Sequence, residues 1–155
     1  MKATKIIIVV LLILCLSSTL LVASEVISES EVTFKREMDS GVIYGIEATQ
    51  QYLIEEWRAR IRDLGNGVVE IYGYTYTNQT ANYIDVDVIL QRKVNGTWVD
   101  IHSQKWYSHY TNKVSGAKSV SVAKGSEYRV RTVHKATTNT IQDTTTAVTG
   151  ALFIN

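Results

Sequence analysis

Proline is absent from this 155-residue chain, and cysteine occurs once, at Cys15. Without proline, any exposed strand edge has to be guarded by charge or by bulges instead. Charge of one sign is not in excess either: 16 basic residues stand against 15 acidic ones, a formal net charge of +1. Nucleic acids and anionic membranes are bound through concentrated positive charge, so neither class of partner is favoured. The chemical motifs are equally sparse. There is no GxSxG elbow, no glycine-rich phosphate loop, and no HxH or HxxxH spacing among His102, His109 and His134, the only three histidines. No convergent catalytic set is present, and neither a cofactor nor a metal is expected.

What is there begins with "MKATKIIIVVLLILCLSSTLLVAS". Lys2 and Lys5 precede an apolar run, followed by small residues before the first acid at Glu25, which is the layout of a secretory signal peptide cut after Ala23 or Ser24. The alternative is an uncleaved anchor. Residues 6–22 are near the lower length limit for crossing a hydrocarbon core about 30 Å thick. Cleavage removes Cys15, so the exported chain has no disulfide and is held by its core alone, which suits a Gram-positive exoprotein. It also removes two of the sixteen basic residues, leaving a formal charge of −1.

Residues 25–56 read as an N-terminal arm, acidic at first and without a steady period, partly disordered or helical, with Val42, Ile43, Tyr44 and Ile46 able to dock on the domain. The next stretch, "YLIEEWRARIRDLGNG", fits two patterns. Leu53, Trp57, Ile61 and Leu64 recur at helical spacing, while Trp57, Ala59 and Ile61 alternate with Arg58, Arg60 and Arg62 as in a half-buried strand.

Beyond residue 67 the period is two. Val69, Ile71, Gly73 and Thr75 alternate with Glu70, Tyr72, Tyr74 and Tyr76; "NQTAN" reads as a loop; and Ile84, Val86, Val88 and Leu90 alternate with Asp85, Asp87, Ile89 and Gln91. Asn95-Gly96 is a tight-turn signal that folds this strand back onto "TWVDIHSQKWY". "KSVSVAKG", "SEYRVRTVHKA" and "TTTAVTGALFIN" complete six or seven short strands. The expectation is an all-β, antiparallel sandwich of about seven strands over residues 57–155.

In "VAKGSEYRVRTV", Val122, Gly125 and Tyr128 resemble the tyrosine corner of fibronectin-type and immunoglobulin-like sandwiches. That resemblance implies an apolar partner at Val122, a turn at Gly125 and a buried Tyr128 bonded back to the main chain. Residues 57–155 are also similar to small secreted Firmicutes proteins of an uncharacterised family without assigned enzymatic activity, a likeness that implies export and a β fold and favours the strand reading of residues 57–63.

Three groups of residues are candidates for function. Tyr72, Tyr74 and Tyr76 share one strand face, with rings about 7 Å apart, and if exposed they form a platform for sugar rings or a protein partner; otherwise they pack across strands or into the core. Trp106, Tyr107 and Tyr110 could extend it. Asp85 and Asp87 share a face and are read as a solvated pair opposite Lys or Arg; they lack the tight loop and ligand number of a calcium site. Trp98 is read as filling the core or its rim, and His134 as a structural strand-end residue with its ring turned inward and a nitrogen on a main-chain carbonyl or water. The expected function is a secreted, non-enzymatic recognition module, binding glycan through the tyrosines. The alternatives are a secreted hydrolase using strand carboxylates and a small toxin or antimicrobial factor.

Overall fold

The computed structural model describes residues 27–36 and 52–155. Residues 1–24, read above as a signal peptide, and Val42, Ile43, Tyr44 and Ile46 lie outside the described residues. Strands are numbered β1 (Glu29–Lys35), β2 (Ile54–Asp63), β3 (Val68–Val94), β4 (Thr97–Ser121), β5 (Ser126–Thr137), β6 (Gln142–Val148) and β7 (Leu152–Ile154). All pairing is antiparallel, and among the described residues there is no helix.

Two strands set the shape. β3 and β4 form one long hairpin turned at Asn95 and Gly96, whose φ angles of 50° and 81° belong to the left-handed region that this residue pair tolerates. β4 follows one edge of β3 throughout, while the other edge carries β2 along its first half and β5 along its second. β1 extends the sheet beyond β2, and β6 and β7 extend it beyond β5. The result is a single curled sheet, a half-barrel, instead of the expected pair of separate sheets.

The curl comes from residues 78–80, the first three of the expected loop. They are exposed and inserted into β3 opposite a register shift, so the strand continues through them with its faces exchanged. Val69, Ile71, Gly73 and Thr75 are buried before the shift; Ile84, Val86, Val88 and Leu90 are buried after it. The corner is pinned by the buried Thr77 hydroxyl beside Gln79 O (2.7 Å) and by Asn78 Nδ2 donating to Tyr52 O (2.9 Å).

Curling brings the inner faces together over one core, with Leu53, Ile54, Trp57, Ala59 and Ile61 of the β2 region opposite Tyr128, Val130 and Ala136 of β5. The two halves meet most closely over two glycines paired across β3 and β4, Gly73 and Gly116. A Cβ on Gly73 would lie 2.5 Å from Val88 Cγ2, and one on Gly116 would lie 2.2 Å from the Trp106 indole. Any side chain there would hold the halves apart.

The alternation of Trp57, Ala59 and Ile61 decides the ambiguous stretch in favour of a strand. Residues 29–35 fall within the expected arm, yet they form edge strand β1. Its inner face adds Val32 and Phe34, the latter stacked on Trp57 at 5.4 Å between centroids. Asp143 fastens β6 to the start of β2: one carboxylate oxygen accepts from Leu53 N (3.0 Å), Ile54 N (2.9 Å) and Arg36 Nη1 (2.6 Å).

Candidate functional site

Tyr72, Tyr74 and Tyr76 stand on the outer face of β3, since their neighbours Ile71, Gly73 and Thr75 take the inner one. Register fixes what flanks them. On β2, Arg60, Arg58 and Glu56 lie opposite Tyr72, Tyr74 and Tyr76; on β4, the opposite residues are Ala117, Ser115 and Lys113. Long charged side chains thus wall one side of the tyrosine row, and mostly small ones floor the other.

The wall is held by its own ion pairs. Arg58 donates through Nε to Glu56 (2.7 Å). Arg60 reaches Glu70 (3.1 Å) and Glu31 of β1 (3.6 Å), and Arg62 reaches Glu70 (3.0 Å). The guanidinium of Arg60 lies over the Tyr72 ring at 4.6 Å and that of Arg58 over Tyr74 at 5.2 Å, favourable cation–π contacts that fix the ring planes. Arg58 is made still more basic, chiefly by its hydrogen bond to Glu56. Partial burial, with Glu56 next, raises the Tyr74 phenol, so that ring stays neutral near pH 7. The three tyrosines are half-buried, and one side of the Tyr72 and Tyr74 rings meets an arginine.

A second aromatic group lies on the outer face across the bend. Tyr83 and Tyr107 stack at 6.1 Å, and His109 meets both edge-on at 5.3 and 6.0 Å. Tyr107 belongs to this outer group, whereas its neighbour Trp106 points inward over Gly116, so these candidates separate onto two faces. Asp85 pairs in register with Tyr107. It is not solvated as expected from its alternation: it is 2% exposed, with Oδ2 accepting from the Tyr83 hydroxyl (2.8 Å) and lying 3.5 Å from Lys105 Nζ. Burial and that hydrogen bond to Asp85 push the Tyr83 phenol up to about 12. Asp87 instead accepts from Ser103 Oγ (2.6 Å).

The remaining candidates serve the scaffold. Trp98 lies outside the core cluster; it is half-buried under the Arg129 guanidinium, 4.3 Å from its ring centroid. Tyr128 is fully buried, and its hydroxyl donates to Ala123 O, five residues back, at 2.7 Å. Gly125 between them has φ of 73°, and Val122 packs against the core.

His134 is not at the strand end, because β5 continues to Thr137. The ring is fully buried, and its partners are side chains instead of main-chain carbonyls: Thr75 Oγ1 lies 2.7 Å from Nδ1 and Thr132 Oγ1 lies 2.6 Å from Nε2. Thr75 also donates to Asp85 O (3.2 Å), which leaves its oxygen to accept from Nδ1–H, so Nε2 accepts from Thr132. Burial lowers the histidine pKa to about 3 and keeps the ring neutral. Among the described residues no three His, Cys, Asp or Glu side chains converge as a metal site.

Arg58, Arg60, Glu56 and Glu70 were not among the sequence candidates. The alternation of arginines with Trp57, Ala59 and Ile61 was the available signal, but only strand pairing puts them beside the tyrosines. No protein-family model and no curated protein matches this chain.

Proposed function

We propose that this chain is a secreted, non-enzymatic recognition module that binds glycan through the outer face carrying Tyr72, Tyr74 and Tyr76. The observation that carries the reading is the position of the three tyrosines on the outer face of the sheet, with Arg60 over the Tyr72 ring and Arg58 over the Tyr74 ring. A sugar ring offers an apolar face to an aromatic ring and hydroxyls to charged groups around it; the phenol tips, Arg58, Arg60 and Glu70 provide both kinds of contact. The low floor at Ser115 and Ala117 leaves the β4 side of the row open to an elongated ligand. Rings held by cross-strand contacts lose little freedom on binding, which favours affinity. The signal-peptide character of the first 24 residues supports export, and an extracellular or cell-wall glycan is the matching ligand.

Affinity electrophoresis in gels containing soluble polysaccharides tests the reading. Retardation of the wild-type chain, reduced by Tyr72→Ala and by Tyr74→Ala, is the expected result. Unchanged mobility of the wild type in every polysaccharide rules it out.

A further inference from the structure

We propose a second, independent binding site for a neutral, hydroxyl-bearing sugar ring, built from Tyr83, Tyr107, His109 and Tyr110 above the carboxylate of Asp85. Tyr107 is 64% exposed and Tyr110 78%, the two most exposed large hydrophobic residues described. They are not scattered singly: Tyr83, Tyr107, His109 and Tyr110 form an unbroken chain of ring contacts, the last of them 6.4 Å between His109 and Tyr110. Tyr110 holds φ of 52°, a left-handed backbone that is costly for a bulky residue. That strain turns an aromatic ring outward on the edge strand, and burial of the ring does not offset it.

The second observation comes from beneath the rings. Asp85 is 2% exposed, and its Oδ2 is engaged by Tyr83 and Lys105, but its Oδ1 is buried without any hydrogen-bond partner. A buried carboxylate oxygen left in this way is an acceptor waiting for a donor. Lys105 is nearly half exposed and holds Oδ2 at the long distance of 3.5 Å, so its ammonium can swing aside at little cost.

Charge selects the ligand. Lys135 lies directly across from Asp85 on β5, and Lys105, in register with Asp87 on β4, reaches Asp85 Oδ2 diagonally at 3.5 Å; two ammonium groups disfavour a cation. The carboxylate at the base disfavours an anion. A neutral polyol remains, with its apolar face stacked on Tyr107 and one hydroxyl donating to Asp85 Oδ1. The Tyr72 row lies across the bend, so this site does not depend on glycan binding there.

The test is amide-shift mapping by NMR on the exported chain, titrated to millimolar concentration with three neutral oligosaccharides (β-1,4-linked glucose, β-1,4-linked N-acetylglucosamine and α-1,6-linked glucose) and with tetramethylammonium. At least one sugar is expected to shift the amides of Tyr83, Tyr107, His109 and Tyr110. Tyr107→Ala should weaken that binding at least tenfold without changing the thermal midpoint, and Asp85→Asn should weaken it while preserving the fold spectrum. If Asp85→Asn fails to fold, Tyr107→Ala decides alone. A chain with Tyr72, Tyr74 and Tyr76 all changed to alanine should keep the shifts. The proposal is overturned if none of the sugars shifts these amides, if Tyr107→Ala binds like wild type, or if tetramethylammonium binds more tightly than every sugar.

Discussion

Thr75 and His134 meet side chain to side chain at 2.7 Å in the interior, joining the first half of β3 to β5 across the bend. The hydrogen-bond partners of the ring are hydroxyls, and burial of the imidazole favours its neutral form. The folded pKa is about 3, below the value near 6.5 expected in the unfolded chain. Between those two values the unfolded state binds the additional proton. Stability from this group is therefore whole above about pH 6.5 and is lost as pH falls toward 3, at about 1.4 kcal/mol per pH unit. Urea unfolding at pH 7 and pH 4.5 measures it. Wild type should lose about 3 kcal/mol more than His134→Gln over that interval; equal losses would mean that the ring is not held neutral.

Gly73 and Gly116 are where the curled halves touch, and alanine at either introduces a Cβ with no room. Overpacking of this kind costs about 1–3 kcal/mol. Gly73→Ala meets two valine methyl groups from the same strand beyond the bend, and Gly116→Ala meets the indole of Trp106. Both variants should unfold at lower urea than wild type, whereas Gly96→Ala should be affected through its positive φ alone, since nothing lies within 4 Å of its Cβ position. A Gly73→Ala chain as stable as wild type would contradict the close approach.

Asp143 satisfies two main-chain N–H groups and Arg36 with one oxygen. Removal of the acceptor strands the amides of Leu53 and Ile54, both fully buried residues, at about 1–3 kcal/mol. Asp143→Ala should therefore be more destabilising than Arg36→Ala, which leaves the carboxylate bonded to both amides. Thermal unfolding of the two variants gives the order, and the reverse order would place the weight on the ion pair.

Tyr128→Phe deletes one hydrogen bond, to Ala123 O, and keeps the ring. A loss of about 1 kcal/mol is expected. Calorimetry that shows no change would mean that water replaces the bond without cost.

Much of this was legible from period alone. Alternation assigns Val69, Ile71 and Thr75 to one face and the tyrosines to the other, and Asn95-Gly96 announces its own turn. The continuity of β3 was hidden because residues 78–80 are polar and break the period, although the strand continues past them as a bulge. The single curled sheet was hidden for a related reason: period tells which face a residue takes but not which strand lies beside it. β1 is acidic and poor in apolar residues, and it becomes a strand through its neighbour, with Glu31 opposite Arg60. Asp85 shows the same limit. Its alternation puts it outward, and the Tyr83 hydroxyl on its own strand, with Tyr107 and Lys105 across on β4, encloses it there.

The central claim, that the tyrosine row on the outer face of β3 binds glycan, is tested most directly by a glycan array probed with residues 25–155. The same array is probed with Tyr72→Ala/Tyr74→Ala/Tyr76→Ala after circular dichroism has shown that the triple variant keeps its sheet. Binding of defined glycans by the wild type, with loss of most of that signal in the variant, is the predicted result. Equal binding by both chains, or binding by neither, would contradict it.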